Sequence, residues 1–304
     1  MKAVDRDQGP WPRSNTERDV KPWLVGRLEQ PSDREGASMA AWLMEHETGM
    51  SKGERLVAGH LFSESEMDRL ALAAGRIAGG EPIQYVLGKA WFDGMELVAR
   101  AGALIPRPET EELIADVAAK LVASGWDAPF VVDWCTGSGC IALALKRRFE
   151  KAEVWGVDVS EEALSVAREN GTRLSLNVCW RQSDLMDAPL RLPRPAQVVV
   201  ANPPYVPLED RHAMADHVLD HEPHLALFVD DDNPLEFGHA LVHWAEDEGL
   251  ESGGWLAMEC HASGATLLAS WLKGRPGWED VDILWDMQGK PRHVIARRCL
   301  PSTS

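Results

Sequence analysis

The first part of the chain carries apolar residues at helical spacing. The stripe that opens it falls on one helical face and consists of Val20, Trp23, Leu24 and Leu28. A second stripe lies in ASMAAWLMEHETG, and a third lies in SESEMDRLALAAGRIAGG, which begins with the capping-box pair Ser63 and Glu66 and ends at two glycines. These patterns predict a small helical domain over residues 20–88. Residues 1–19 are polar, and we expect them to form a disordered tail.

A short alternating segment follows the helical part. Apolar and polar residues alternate in KAWFDGMELVARAGALIPRP, and Asp93-Gly94 is a dipeptide that favours a two-residue turn. The pattern predicts a β-hairpin linker over residues 89–106. The next stretch, PETEELIADVAAKLVAS, predicts a helix with Pro108 in its first turn, where proline's missing N–H does no harm.

From residue 107 to residue 304, short apolar runs alternate with helical patterns. The runs that predict buried strands are FVVDW, AEVWGVDV, NVCWRQS, AQVVVA and GGWLAMEC. Strands of this kind, separated by helices, are typical of a mainly parallel α/β sheet that is covered on both faces. The last two runs, DVDILWDM and RHVIARR, flank QGKP closely and predict an antiparallel hairpin at the end of the sheet.

Charge and cysteine content narrow the function classes. The 304 residues include 48 acidic and 31 basic side chains, a formal charge of −17, which disfavours a large nucleic-acid surface. Five cysteines without a C-x-x-C pair suggest neither a disulfide framework nor a zinc site, and no metal is expected. The N-terminus lacks a signal-peptide core, and no run approaches the ~18 apolar residues of a membrane span. We expect a cytoplasmic protein without membrane contact.

A glycine-containing loop follows the first strand of the α/β part. The stretch VVDWCTGSGCIALAL runs from strand through Gly137 and Gly139 into a helix, which is where nucleotide-like ligands bind in open α/β sheets. The dinucleotide pattern G-x-G-x-x-G is not met because Ala142 stands at its third glycine position, and without a following lysine the loop is not a phosphate-binding P-loop. A plain strand-to-helix turn is the alternative interpretation.

Two aspartates end the strands that follow. Asp158 closes VWGVD, where a carboxylate can accept hydrogen bonds from both hydroxyls of a ribose. A helix cap is the other possible role, but Ser160 already supplies one. Asp184 ends the third strand at the place an adenine would reach, and a role in an N-cap or surface loop is equally consistent with the sequence.

The fourth strand ends in ANPPYVP. Proline cannot continue a central sheet ladder, so the strand should stop at Ala201 and the chain should leave the sheet there. This places Asn202 in the crevice at the carboxyl ends of the strands, beside the glycine loop. A structural turn would explain the prolines but not their combination with the loop and the acidic residues.

In this order, the glycine loop, Asp158 and NPPY resemble the class I S-adenosylmethionine-dependent methyltransferases that act on planar nitrogens. Within that class, the chain is similar to the release-factor glutamine N5-methyltransferases of the HemK/PrmC family. Three stretches carry this similarity: EPIQYVLGKAWFDG (81–94), LIPRPETEEL (104–113) and EPHLALF (222–228). The resemblance covers roughly residues 20–299. It implies a seven-stranded, mainly parallel Rossmann-like sheet, a helical N-terminal substrate-recognition domain and a hairpin linker.

The resemblance also implies roles for individual residues. The expected cofactor loop is Cys135, Thr136, Gly137, Ser138 and Gly139. Asp158 would hold the ribose, Asp184 and Leu185 would flank the adenine, and Asn202 would also contact the cofactor. The expected amide site is Asn202, Pro203, Pro204 and Tyr205, with Asn202, Pro203 and Tyr205 as the catalytic residues. Two departures from the family pattern stand out: Leu185 replaces a bulky aromatic residue, and VDDDNPLEF replaces a glycine-rich loop.

The implied reaction transfers a methyl group from S-adenosylmethionine to the side-chain nitrogen of the glutamine in the Gly-Gly-Gln loop of class-1 peptide-chain release factors. Asn202 and the Pro203 carbonyl would accept the two N–H bonds of that amide, and Tyr205 would stack on it. An N6-adenine methyltransferase using the same NPPY site is the alternative, which the net charge disfavours. A non-catalytic cofactor-binding scaffold would leave NPPY without a role.

Overall fold

The computed structural model describes residues 11–28 and 32–300 of the chain. These residues form two compact units. One unit comprises the described residues up to Gly88 together with Asp216–His221, and the other comprises Lys89–Ala215 and the described residues from Glu222 onward. We refer to them as the helical unit and the sheet unit.

The helical unit is built from short amphipathic helices: α1 (Glu17–Leu28), α2 (Asp33–Thr48), α3 (Lys52–Ala58), α4 (Glu64–Ala78), α5 (Ile83–Leu87) and, much later in the chain, α9 (Asp216–His221). The capping box predicted at the start of α4 is confirmed, because the Ser63 backbone N–H donates to Glu66 Oε2 at 2.6 Å and the Glu66 N–H donates to Ser63 Oγ. The apolar core of the unit includes Leu24, Leu28 and Phe62, all fully buried.

The start of the chain differs from the expected tail. Residues 1–10 lie outside the described residues, but helix α1 begins at Glu17, and the residues before it make contacts. The Trp11 ring stacks on Trp23 with centroids 5.5 Å apart, and Ser14 Oγ donates to Asp19 Oδ2 at 2.7 Å. A polar side chain of this stretch forms a hydrogen bond to the first turn of α1, so the polarity of residues 11–19 does not by itself indicate a tail.

The alternating segment forms the predicted β-hairpin. Strands β1 (Lys89–Phe92) and β2 (Met95–Val98) pair antiparallel, with Phe92 opposite Met95. Asp93 and Gly94 have φ values of 49° and 69°, the left-handed conformation at both positions that a tight two-residue hairpin requires. Residues 99–106 continue as an irregular segment.

The sheet unit contains a seven-stranded sheet, in the order β10-β11-β9-β6-β3-β4-β5. Its strands are β3 (Phe130–Trp134), β4 (Glu153–Asp158), β5 (Cys179–Gln182), β6 (Ala196–Ala201), β9 (Leu250–Glu259), β10 (Trp278–Trp285) and β11 (Pro291–Arg298). Only β11 runs against its neighbours. The mainly parallel seven-stranded sheet and its terminal hairpin are therefore confirmed. A separate two-stranded ladder pairs β7 (Val206–Pro207) with β8 (Phe228–Val229).

Helices cover both faces of the sheet: α6 (Pro108–Ala123), α7 (Cys140–Arg148), α8 (Glu161–Leu174), α10 (Glu236–Trp244) and α11 (Ala262–Lys273). Successive residues of a strand point to opposite faces. Val132 and Trp134 accordingly join the core under α10 and α11, while Val131 joins the core under α6 and α7. Within the described ranges, no helix is long and apolar enough to cross a bilayer.

One tryptophan leaves no room for a Cβ at two neighbouring positions, one in strand β4 and one at the start of helix α7. The Trp180 ring on β5 lies so close to Gly139 and Gly156 that an added Cβ would stand 2.7 Å and 2.4 Å from its carbon atoms. Gly171 in α8 is also a neighbour, with its hypothetical Cβ 3.5 Å from the ring. Gly139 is thus needed for packing as well as for its left-handed φ of 82°.

Candidate active site

A cavity opens at the carboxyl ends of β3, β4 and β6, entirely within the sheet unit. Its empty space, counted together with its open mouth, is about 970 Å³. The predicted residues that line it are Cys135, Thr136, Gly137, Ser138, Asp158, Asp184, Leu185, Asn202 and Pro204. Three others lie outside its wall. Gly139 is the N-cap of α7 under Trp180, and Pro203 and Tyr205 line a smaller adjoining pocket.

The glycine loop wraps the end of β3 with unusual backbone angles. Gly137 has φ 55°, and Cys135 has φ 56° although it is not glycine. Left-handed backbone costs a non-glycine residue roughly 1–2 kcal/mol and is concentrated at functional sites. The loop is held at its ends, since the Thr136 N–H donates to Val157 O at 3.0 Å and the Gly139 N–H donates to Thr136 O at 2.8 Å.

Asp158 connects the second strand to this loop. Its Oδ2 accepts a hydrogen bond from the Gly137 N–H at 2.8 Å, and its Oδ1 accepts one from the Ser160 N–H at 2.9 Å. Burial raises the pKa of the carboxyl, and the backbone donors oppose that shift. Ser160 caps α8 by accepting from the Ala163 N–H, as the sequence indicated. Asp158 therefore shapes the loop and also lines the cavity.

Asp133 is a buried acid that the sequence reasoning missed. Its Oδ2 accepts from Thr136 Oγ1 at 2.5 Å and from the Ala142 N–H at 3.1 Å. Its Oδ1 has no hydrogen-bond partner among the described residues. Burial raises its pKa to about 7, and the nearby Asp158 charge adds to the shift. The available signal was a single charged residue inside the otherwise apolar strand FVVDW.

The far end of the cavity contains the residues expected around an adenine. Asp184 Oδ1 accepts from the Met186 N–H at 2.8 Å, so this aspartate shapes a turn as well as lining the cavity. Leu185 is buried in the same apolar cluster as Trp134, a bulky ring that also lines the cavity. Val159, which the sequence reasoning did not single out, lines the cavity and is 41% exposed.

The NPPY segment leaves the sheet where predicted, because β6 ends at Ala201. Asn202 Nδ2 donates to Thr110 Oγ1 at 3.2 Å. The Tyr205 hydroxyl donates to Glu259 Oε1 at 2.9 Å, and Thr110 Oγ1 donates to Glu259 Oε2 at 2.7 Å. Burial raises the pKa of Glu259, and burial together with the Glu259 charge raises that of Tyr205. The sequence reasoning did not anticipate Glu259, which is only 1% exposed.

Another buried carboxylate joins two of the motifs that carried the resemblance. Glu222 Oε1 accepts from Arg107 Nη2 at 2.6 Å, and Glu222 Oε2 accepts from the Ile105 N–H at 3.1 Å. The loops on both sides of this contact line the cavity, through Pro106 and Pro223 among others. IPRP and EPH, distant in sequence, thus form one wall.

Comparisons with known proteins agree with this geometry. The family model described as a methyltransferase domain matches residues 131–221, and the model described as the PrmC N-terminal domain matches residues 22–88. The release factor glutamine methyltransferase of Bacteroides thetaiotaomicron is 38% identical over 73% of this chain and 78% of that protein. That of Streptomyces coelicolor is 35% identical over 89% and 93%. The chain belongs to the release factor glutamine methyltransferase family.

One solved structure with the same fold is more distant in sequence than these relatives. The hMettl16 catalytic domain, in complex with a MAT2A 3'UTR hairpin, is 14% identical with a TM-score of 0.54, covering 78% of this chain and 83% of that one. At that identity the likeness shows the shared fold alone.

As a member of this family, the enzyme uses S-adenosylmethionine as methyl donor. The cavity fits such a group. The backbone of its loop faces the space, the Asp158 carboxylate is at the second strand, and the 3% exposed Ser138 has no partner for its Oγ in the part of the chain that is described.

Proposed function

We propose that this chain transfers the methyl group of S-adenosylmethionine to the side-chain nitrogen of the glutamine in the Gly-Gly-Gln loop of class-1 peptide-chain release factors. The observation that carries the proposal is the hydrogen bonding of the Asn202 side-chain amide, which lies at the cavity wall. Its amide nitrogen donates to Thr110, and none of the described residues donates to its amide oxygen, so this oxygen can accept a hydrogen bond from a substrate. The names of the relatives support the choice of substrate.

The chemistry requires help from oxygen acceptors. The lone pair of an amide nitrogen is delocalised into its carbonyl, so the nitrogen is a poor nucleophile. S-adenosylmethionine supplies a methyl group on a positively charged sulfur. We assign Asn202 Oδ1 and the Pro203 carbonyl to the two N–H groups of the substrate amide, where they hold the nitrogen in line and stabilise the positive charge that develops on it.

Tyr205 completes the proposed amide site. Its hydroxyl is tied to Glu259, so the ring is held in one orientation against which a flat amide can stack. No strong general base is required, because the proton on the nitrogen becomes acidic once the methyl group has been transferred. In the cofactor half, we assign the ribose to Asp158 and the adenine to Asp184, Leu185 and Val159.

A protein substrate also fits the charge of the molecule. At −17, the chain repels phosphate backbones, so we propose no direct nucleic-acid partner and no membrane partner. We therefore propose that the reaction takes place in the cytoplasm, together with the translation machinery.

We also propose that the helical unit recognises the release factor. It presents exposed apolar side chains, among them Leu56 (61% exposed) and Val57 (92% exposed) on α3. Replacing both with serine should raise KM for the intact factor and leave KM for a short Gly-Gly-Gln peptide unchanged. Equal KM values for the factor before and after the replacement would contradict this role.

The direct test combines mass spectrometry with substitution of Asn202. A release factor incubated with the protein and labelled cofactor should carry the label on the glutamine of its Gly-Gly-Gln loop. Asn202→Ala should lower single-turnover rates about 10²–10³-fold, the typical cost of removing one preorganised partner, with little change in cofactor affinity. Asn233→Ala, at an exposed asparagine, is the matched control. Label found only on nucleic acid would refute the proposal.

A further inference from the structure

Two buried residues are linked by hydrogen bonds to the proposed catalytic asparagine: Thr110, which lines the same cavity, accepts from Asn202, and Glu259 accepts from Thr110. Strands β6 and β9 are parallel neighbours with Ala201 opposite Met258, so Asn202 and Glu259 occupy equivalent positions at the carboxyl edge of the sheet. Thr110, in the first turn of α6, contacts both of them. Thr110 and Glu259 are each 1% exposed.

When Glu259 is ionised, only one assignment of donors and acceptors satisfies the hydrogen bonds of this cluster. An ionised carboxylate only accepts hydrogen bonds, and Glu259 accepts from the Thr110 and Tyr205 hydroxyls, one on each oxygen. The single hydroxyl proton of Thr110 is therefore used, and its oxygen can only accept from Asn202. The group of Asn202 that faces Thr110 must then be its NH₂, which turns Oδ1 away from the threonine.

We propose that Thr110 and Glu259 are positioning residues that select the amide orientation of Asn202 in which its oxygen faces the methyl acceptor. The inference rests on the proposed function for its catalytic meaning, but not for the hydrogen-bond order itself. A wrongly oriented Asn202 would present an N–H to the N–H of a substrate amide, and two donors repel.

The burial of Glu259 fits this role better than a packing role. A buried carboxylate is costly unless it is well hydrogen-bonded, and an apolar residue would fill the same space at lower cost. Besides Thr110 and Tyr205, the charged and titratable groups around Glu259 are Glu109, Arg292, His293 and the Cys140 and Cys260 thiols. Arg292 attracts the charge, whereas His293 Nε2 is 4.0 Å away, and burial lowers the His293 pKa to about 4.

The kinetic test is a double-mutant cycle. Thr110→Val keeps the shape and deletes the hydroxyl, and we expect a single-turnover rate at least tenfold lower, with the cofactor Kd unchanged within about twofold. Thr110→Ser should restore the rate. In an Asn202→Ala background, Thr110→Val should cost nothing further, because the positioned group is gone. The proposal would be overturned if Thr110→Val lowered the single-turnover rate by the same factor in both backgrounds, or if it did not lower the rate in the wild-type background.

A second measurement needs no substrate. In ¹⁵N-labelled protein, the side-chain NH₂ signal of Asn202, assigned by its loss in Asn202→Ala, should shift in Thr110→Val and stay in Thr110→Ser. Thr172→Val, at an exposed helical threonine whose hydroxyl donates to Arg168 O, is the matched control and should leave it in place. An unmoved signal in Thr110→Val refutes the hydrogen-bond order even if the protein has another substrate. If the variants show the expected shifts but the wild-type protein leaves release factors unlabelled, the proposed function alone is refuted.

Discussion

Replacement of Asp158 by alanine should separate cofactor binding from methyl transfer. Hydrogen bonds to a charged acceptor contribute about 1.5–3 kcal/mol each, and Asp158 is assigned to the two ribose hydroxyls. Because its oxygens already accept from Gly137 and Ser160, we take the lower end for each bond. The resulting ~3 kcal/mol corresponds to a Kd weakened about 100-fold. The rate in the saturated complex should change much less, since the ribose is bound equally in the ground and transition states.

The assay is calorimetric titration of the folded apoprotein with S-adenosylhomocysteine, followed by single-turnover kinetics at saturating S-adenosylmethionine. Asp158→Ala also leaves the Gly137 N–H without its acceptor, so circular dichroism must first show that the variant is folded. Asp127→Ala, at a carboxylate 79% exposed and paired with Lys151, is the control. A Kd within twofold of the wild-type value would remove Asp158 from the cofactor site.

Three further predictions concern stability. Cys135→Val should lower the free energy of unfolding by about 1–2 kcal/mol, whereas Cys135→Gly should not, because β-branched side chains tolerate a φ of 56° poorly; urea unfolding tests both. The folded-state pKa of Asp133, about 7, lies above its ordinary 3.8, so the contribution of Asp133 to stability should fall as pH rises from about 4 to 7. The free energy of unfolding of Asp133→Asn, measured relative to the wild type, should therefore rise between pH 5 and pH 8. A difference that stays constant over this range would contradict the prediction. Gly156→Ala should cost about 1–3 kcal/mol by overpacking against Trp180, and Trp180→Leu should recover part of the loss in thermal unfolding.

The sequence indicated those features whose cause is local. Two prolines stop β6 at Ala201, and Asp93-Gly94 makes a turn with both residues left-handed, because each effect depends on the backbone of the residues themselves. The order of strands and helices likewise follows from hydrophobic spacing. Even the capping box of α4 needs only four consecutive residues.

The missed features depend on contacts between distant parts of the chain. Glu259 looks like an ordinary strand-end acid until its hydrogen bonds to Thr110 and Tyr205 are known. Asp133 sits in an apolar strand, but its partner at Ala142 lies on the next helix. The orientation of the Asn202 amide is fixed by Thr110, 92 positions earlier. No local pattern encodes these distances, so the sequence located the crevice but not the groups that support it.

The helical unit is not continuous along the chain, and this affects how the protein is made. Helix α9 belongs to it but is encoded after strands β3 to β6 of the sheet. On a translating ribosome, the residues up to Gly88 emerge long before α9, so the unit cannot reach its final form by the usual order in which an N-terminal domain folds first. Its completion must wait until much of the sheet has been synthesised. During that interval, the residues of the helical unit that pack against α9 lack this partner.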